Sequence, residues 1–172
     1  MKNILEMNIN EMASIDFDCA CGKHHTLGIK HILIGKNVLG DITKMAKDFK
    51  NEKIFLFSDD NTFKACGNEV FNILQEEDFN VKNFVYPSGE DILIPDEKVL
   101  GRLFMEMERG TKLIIAVGSG TINDLAKYMS SRSGIPYIIV CTAPSMDGYA
   151  SDGAPLICDG FKIAFEATLA YG

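Results

Sequence analysis

The clearest chemical signal in the sequence is a run of small and polar residues, Gly118-Ser119-Gly120-Thr121-Ile122-Asn123-Asp124. An apolar run, 113–117, precedes it, and a helix-like pattern over 125–129 follows it. A strand that ends in glycines and opens a helix can bind phosphate, because the first free N–H groups of the helix and the positive end of its dipole face the anion. The run has neither the Gly-x-Gly-x-x-Gly spacing of the common dinucleotide motif nor a P-loop lysine, so alone it is a weak signal.

Polar residues follow other predicted strands as well. Asp59 comes after the apolar run 54–57, where its carboxylate could accept hydrogen bonds from a ribose diol; helix capping or a turn is an equally open alternative. Similar strand ends occur at Ser88-Gly89 and at 142–145. Because the carboxyl ends of parallel strands share one edge of a sheet, we expect these positions to converge. The convergence favours a phosphate or nucleotide site over simple tight turns.

The loop 142–151 is small, polar and constrained by Pro144 and Gly148, as loops that present side chains to ligands often are. Asp147 in this loop could bind a substrate hydroxyl. An Asx-type turn ahead of Gly148 is the alternative explanation. Ser151 closes the loop.

The segment Cys19-Ala20-Cys21-Gly22-Lys23-His24-His25 predicts a tight turn between two short strands. Its thiols and imidazoles also make a metal site possible, with Cys19, Cys21 and His24 as the candidate ligands. A purely structural hairpin is favoured, because Cys-x-Cys is not the usual zinc knuckle and no second ligand pair follows later in the chain.

Composition excludes several other functions. The chain has 172 residues, 47% of them hydrophobic, enough for one folded domain with a real core. A net charge of −7 argues against a nucleic acid or an anionic membrane as partner. A serine hydrolase built on Ser119 is disfavoured because all three histidines lie near the N-terminus. The sequence has no signal-peptide pattern and no apolar run of the roughly 20 residues that span a bilayer. Five scattered cysteines predict free thiols in the cytoplasm.

The elements that must position these residues alternate between strand and helix. Strands are predicted at 26–35, 54–57, 81–86, 113–117 and 137–140, and helices at 38–49, 62–77 and 96–108, with another after the glycine-rich run. This order predicts an α/β fold, a Rossmann-like parallel sheet with helices on both faces. One nucleotide-binding domain should cover 1–172, with a short hairpin at 19–28 and another at 150–165 along the cofactor edge.

Two segments, 118–128 and 142–151, closely resemble the signature loops of glycerol-1-phosphate dehydrogenases. These enzymes belong to a wider group with iron-type alcohol dehydrogenases, glycerol dehydrogenase and dehydroquinate synthase. The segment 58–62 resembles the nucleotide-facing strand end of that group, and 19–25 is similar to an element of the bacterial branch.

The resemblance implies an N-terminal Rossmann-like domain that binds NAD or NADP and a helical C-terminal domain with a divalent zinc or nickel ion. The implied reaction is reversible hydride transfer between the cofactor and dihydroxyacetone phosphate, giving sn-glycerol 1-phosphate. Asp147 would bind the substrate, and no catalytic residue is assigned. The residues implied to bind the cofactor are Asp59, Gly118, Ser119, Gly120, Thr121, Ile122, Thr142, Ala143, Pro144, Ser145 and Ser151.

The metal ligands of the resembled enzymes are expected beyond a segment like 161–172. We therefore expect this chain to be the cofactor-binding half, with the helical domain missing and little activity alone. A small phosphorylated substrate and a homo-oligomer are expected. The alternatives are a glycerol dehydrogenase that acts on free polyols, and a non-catalytic nucleotide- or metal-binding module.

Overall fold

The computed structural model describes residues 4–89, 92–144 and 148–172. Within these ranges the strands, in chain order, are β1 Asp16–Asp18, β2 His24–Thr26, β3 Lys53–Asp59, β4 Asn80–Tyr86, β5 Thr111–Gly118, β6 Tyr137–Cys141, β7 Gly153–Cys158 and β8 Phe161–Glu166. The α-helices are α1 Ile9–Ala13, α2 Ile42–Met45, α3 Asp60–Thr62, α4 Asn68–Glu76, α5 Glu97–Glu106 and α6 Gly120–Ser133. Shorter 3-10 turns lie at Ile4–Glu6, Leu39–Asp41, Lys47–Phe49 and Gly148–Ala150, and a π-helical stretch at Phe63–Gly67 joins α3 to α4.

A parallel sheet in the order β4-β3-β5-β6 forms the centre of the fold. Side chains of β3 alternate between its faces: Phe55 and Phe57 pack in one apolar cluster with α5 and α6, and Ile54 and Leu56 pack in the other with α2 and α4. Both faces of the central strands are thus buried, which is why β3 and β5 are continuous apolar runs. The predicted parallel sheet with helices on both faces is confirmed.

The predicted strand over 26–35 is wrong: only Thr26 belongs to a strand, as the last residue of β2, and 27–35 form none. Further on, the N–H groups of Lys30 and His31 donate to the carbonyl of Tyr171 (3.0 and 3.3 Å), and Tyr171 and Gly172 in turn bond to β6. Two hydrogen bonds to a single carbonyl are too few to form a strand ladder.

The predicted helix over 38–49 is broken into the 3-10 turn Leu39–Asp41, α2 and the 3-10 turn Lys47–Phe49. None of these short pieces has a side-chain cap at its start, so nothing fixes one continuous helical axis. The periodicity nevertheless identified the correct face, because Ile42 and Ala46 are buried against the sheet.

Two antiparallel hairpins lie outside the four-stranded sheet. The first pairs β1 with β2, and the second pairs β7 with β8. The second confirms the hairpin predicted at 150–165, with observed bounds of 153–166. The second turns at Asp159-Gly160, where positive φ angles of 50° and 80° match a type I′ turn. The N–H of Ile157 donates to the carbonyl of Pro95 at 2.9 Å, so β7 lies against the segment that leads into α5. Within the described ranges, no helix has the length and apolar character that a membrane crossing requires.

Candidate functional site

The carboxyl ends of the parallel strands meet at one edge of the sheet, as expected. Gly118 is the register partner of Cys141, and its carbonyl accepts a hydrogen bond from the N–H of Thr142 at 3.0 Å. The Asp60 carboxylate accepts from the N–H of Gly89 at 2.9 Å, which ties the end of β3 to the end of β4. We call this edge the strand-end site, defined as residues 58–60, 88–89, 118–120, 142–144 and 148–153.

Gly118 allows α6 to begin directly at the end of β5. A Cβ at this position would lie 2.4 Å from both Cβ and Cγ1 of Ile122, so only glycine fits. The Ile122 side chain is 1% exposed and packs in the core, which means that only its backbone can face a ligand. Among the predicted cofactor residues, the side chain of Ile122 is therefore part of the core and does not line the loop surface.

The N-terminus of α6 is not capped by a side chain. Ser119 occupies the N-cap position with extended backbone, yet its hydroxyl makes no capping hydrogen bond. The first intrahelical bond is the one from the Asn123 N–H to the Ser119 carbonyl (3.0 Å), so the N–H groups of 120–122 have no intrahelical partner. The first turn also contains no acidic residue. Together with the helix dipole, these N–H groups can bind an anion such as a phosphate.

Asp59 has the capping role that the sequence left open. Its Oδ1 accepts from the N–H of Thr62 at 2.7 Å and from the Thr62 hydroxyl at 2.9 Å, which caps α3. The Asp59 N–H donates back to the Thr62 hydroxyl at 3.1 Å. The carboxylate is 9% exposed and lies at the strand-end site, but its observed partners are all within its own helix cap.

Lys127 fixes the loop 148–153 against α6. Its ammonium group is fully buried and donates to the carbonyl of Gly148, to the Ser151 hydroxyl at 2.8 Å and to the carbonyl of Gly153 at 3.1 Å. These three hydrogen bonds use all three ammonium protons. Ser151, predicted to line the cofactor, also donates to the Gly148 carbonyl at 3.0 Å. Its hydroxyl thus acts within the loop that Lys127 fixes.

A second set of side chains supports the same loop. The Tyr137 hydroxyl donates to Asn123 Oδ1 at 3.3 Å, and the Asn123 amide donates to the Gly148 carbonyl at 3.4 Å. The Tyr149 hydroxyl donates to the carbonyl of Ala143 at 3.1 Å, which links the loop to the end of β6. A cavity of about 170 Å³ lies between α6 and the loop, and its walls include Gly120, Asp124 and Tyr149.

Burial perturbs the charged pair on α6. It raises the pKa of Asp124 to about 6, although the positive charges of Lys127 and Lys162 act in the opposite direction. Burial also lowers the pKa of Lys127, and the nearby carboxylates of Asp124 and Asp152 partly offset this. The Asp124 carboxylate lies 3.8 Å from the Lys127 ammonium. Burial therefore disfavours the charged form of both side chains.

Sequence reasoning did not assign Lys127, Asp124 or Asn123. The only available signal was their i, i+3 and i, i+4 spacing on the helix that follows the glycines, which places them on one face. Thr142 and Ala143 lie half-buried at the end of β6, and Pro144 is exposed there. Ser145 and Asp147 lie outside the described residues.

The N-terminal hairpin brings together a second group of side chains. Cys19, Cys21 and His25 cluster there, with their ligand atoms all within 4.8 Å of one another. The predicted third ligand, His24, is instead held between the carboxylates of Asp16 (3.1 Å) and Asp18 (2.9 Å).

Comparison with known proteins identifies the family. Over 165 residues the chain is 30% identical to a glycerol-1-phosphate dehydrogenase (NAD(P)+) of Geobacillus stearothermophilus, covering 95% of this chain and 41% of that protein. It is 33% identical over 151 residues to the enzyme of the same name from Halalkalibacterium halodurans, covering 87% of this chain and 38% of that protein. The chain thus spans about two fifths of the length of these curated relatives.

A solved structure has a similar fold. The iron-containing alcohol dehydrogenase of Thermococcus thioreducens superposes with a TM-score of 0.67 at 14% identity, over 84% of this chain and 44% of that one. The family model described as iron-containing alcohol dehydrogenase matches residues 33–172. With most of its length inside that match, the chain belongs to the iron-containing alcohol dehydrogenase family.

Proposed function

We propose that this chain forms the cofactor-binding part of an NAD(P)-dependent sn-glycerol-1-phosphate dehydrogenase. The observation that carries the proposal is the uncapped N-terminus of α6 behind Gly118, at the carboxyl edge of a parallel sheet. The curated relatives named above, at 30% and 33% identity, support the choice of reaction. The identity of the substrate is also a proposal, because the chain spans about two fifths of the length of those proteins.

The described residues fit a dinucleotide. The free N–H groups of 120–122 would hold its pyrophosphate, because they are preorganised and carry the positive end of the helix dipole. The hydroxyls of Ser58 and Ser88, at the strand-end site, are buried and have no hydrogen-bond partner among the described residues. Buried hydroxyls without partners are costly, so a polar ligand that bonds to them would relieve a real penalty. Asp59 would bind a ribose hydroxyl through oxygen lone pairs not used in the helix cap.

The proposed reaction reduces the ketone of dihydroxyacetone phosphate to an alcohol, with one hydride and one proton added. The reduced nicotinamide supplies the hydride when it is bound. This chain's own contribution would be to hold the pyrophosphate at α6 and to close the cavity with the loop that Lys127 fixes. Asp147 would bind the substrate.

A divalent metal does not fit the described part of the strand-end site. The group of three metal-ligating side chains found in the described ranges lies at the N-terminal hairpin. The described strand ends thus contain no cluster of three ligands for the proposed zinc or nickel ion, and no role proposed for these residues depends on it.

Cofactor binding can be tested by calorimetric titration of the chain with NADH and NADPH. We expect binding of at least one of them, and we expect Gly118→Ala to weaken it by about 10-fold or more, since the new Cβ displaces the start of α6 by its contact with Ile122. Gly101→Ala is the matched control, because a Cβ there meets nothing within 4 Å. Absence of binding to the unmodified chain, or equal loss in both variants, would contradict the proposed site.

Because little activity is expected of this chain alone, the substrate test uses a full-length protein that contains it, and follows NADH and NADPH oxidation with dihydroxyacetone phosphate and, separately, with dihydroxyacetone. Reduction of the phosphorylated ketone alone would support the proposal. Preference for the free ketone would favour a polyol dehydrogenase instead.

A homo-oligomer also stays a prediction, which light scattering of the purified chain can test.

A further inference from the structure

The β1–β2 hairpin places two thiols and an imidazole in the arrangement that a metal ion needs. Cys21 Sγ lies 3.3 Å from His25 Nε2, and both lie within 4.8 Å of Cys19 Sγ. A tetrahedral zinc ion has bonds of about 2.3 Å to sulfur and about 2.0–2.1 Å to nitrogen, so adjacent ligand atoms are about 3.5–3.8 Å apart. Small side-chain rotations would bring these three atoms to three corners of such a tetrahedron.

The backbone of the turn creates this cluster. Gly22 has a φ of +81°, which lets the chain reverse between the two cysteines and His25. The Cys19 N–H donates to the Lys23 carbonyl and the Gly22 N–H to the Cys19 carbonyl, both at 2.9 Å. The Cys21 N–H contacts Cys19 Sγ at 3.5 Å and orients that sulfur into the turn.

The register of the strands decides which histidine faces the thiols. His25 pairs with Phe17 and stacks on its ring at 5.5 Å between centroids. His24 pairs with Asp18 and, because successive residues of a strand point to opposite faces, its ring turns to the aspartates instead. The two neighbouring histidines therefore have different surroundings, and only His25 lies beside the sulfur atoms.

We propose that Cys19, Cys21 and His25 bind one zinc ion, with water at the fourth position. Cys21 and His25 are exposed, so that position is accessible to solvent. The bound ion would act as a structural clip: a two-stranded hairpin with three residues in each strand is marginally stable alone, and metal binding adds its free energy to the folded form. The proposal is independent of the dehydrogenase function, because none of these residues belongs to the strand-end site.

The first test is titration of the reduced, metal-free chain with Co²⁺, followed by Zn²⁺. We expect a single equivalent of Co²⁺ to bind with a thiolate-to-cobalt charge-transfer absorption, which Zn²⁺ then abolishes. Cys21→Ser and His25→Ala should each weaken Co²⁺ binding by more than about 100-fold, since even the loss of an outer-shell partner costs about 10–100-fold. His24→Ala is the matched control and should bind like the unmodified chain. Absence of the charge-transfer absorption, or equal loss in the two histidine variants, would overturn the proposal.

A second measurement needs no substitution. Alkylation of the unmodified chain, followed by mass spectrometry, reports the reactivity of each cysteine with and without Zn²⁺. We expect Zn²⁺ to slow the modification of Cys19 and Cys21 by at least about 10-fold, because a coordinated thiolate is a poorer nucleophile. Cys158, a half-buried free thiol on β7, is the internal reference and should not change. Equal rates at Cys19 and Cys21 with and without Zn²⁺ would contradict the site even if every variant failed to fold.

Discussion

Two helices on the same face of the sheet begin in different ways. Both α5 and α6 contribute to one apolar cluster, and both follow a polar N-cap residue in extended conformation, Asp96 and Ser119. Asp96 accepts from the N–H groups of Lys98 (3.0 Å) and Val99 (2.9 Å), so the start of α5 is satisfied internally. Ser119 makes no such bond. Serine is among the preferred capping residues, so its failure to cap leaves the start of α6 without a side-chain partner, as the proposed phosphate site requires.

The two helices are also approached differently. The segment 94–95, which precedes α5, lies against β7. By contrast, α6 follows β5 with only Ser119 between them, because Gly118 permits the close approach to Ile122. The tight strand-to-helix turn thus places the start of α6 at the sheet edge, where the other strand ends converge.

The largest effect in this comparison should come from removing that tight turn. Gly118→Val adds a Cβ that would lie 2.4 Å from Ile122, together with two further methyl groups, and we expect it to lower the free energy of unfolding by about 4 kcal/mol. The matched change on α5, Gly101→Ala, should stabilise by up to about 1 kcal/mol, because its Cβ has open space and alanine favours helix. Urea unfolding of both variants measures this. A Gly118→Val protein as stable as the unmodified one would show that α6 does not need the close approach.

The second effect concerns the loop 148–153, which is hydrogen-bonded to Lys127 of α6 and has no such bond to α5 among the described residues. Lys127→Met removes the buried ammonium that donates to the Gly148 and Gly153 carbonyls and to the Ser151 hydroxyl, at an expected cost of about 3 kcal/mol. Hydrogen exchange should show faster exchange confined largely to 148–153. Lys98→Met, an exposed change on α5, should stay within about 0.5 kcal/mol of the unmodified protein. Unchanged exchange in 148–153 would mean that Lys127 is not what orders the loop.

The same comparison shows how far the sequence could predict the structure. The Asp96 cap, the strand preceding Gly118 and the type I′ hairpin were predictable, because each depends on residues adjacent in the chain. Burial of Lys127 was not, because it depends on carbonyls 21 and 26 residues further along the chain. The capping of Asp59 was one of two open alternatives, and only the observed bond to Thr62 distinguishes it. Local chemistry is thus readable from the sequence, whereas the partner of a buried charge is set by the tertiary fold.

A third effect depends on pH. Burial raises the pKa of Asp124 in the folded chain to about 6, above its value of about 3.9 when unfolded. The folded state therefore binds this proton more tightly, and the resulting stability is fully present below about pH 3.9 and is lost as the pH rises through about 6.

Asp124→Asn removes this titration and isolates its contribution. Between pH 4 and pH 7, the free energy of unfolding of the unmodified chain should fall relative to the variant by about 1–2 kcal/mol, less than the full shift implies because Asp124 keeps 17% exposure. Urea midpoints at several pH values measure the difference. A constant difference across this range would mean that the carboxylate beside the α6 site has an ordinary pKa.

The smallest effect tests the comparison most directly. Asp96→Ala removes two capping bonds from α5 and should cost about 1 kcal/mol. Ser119→Ala removes no capping bond from α6, so we expect a loss of no more than about 0.3 kcal/mol. Both are measured by urea unfolding without nucleotide. If Ser119→Ala were as costly as Asp96→Ala, the serine would cap α6 in solution, and an anion would have to displace it before reaching the N–H groups of 120–122. A near-zero cost would instead leave those groups unused by the protein itself, which is the condition for binding a phosphate without first losing a stabilising bond.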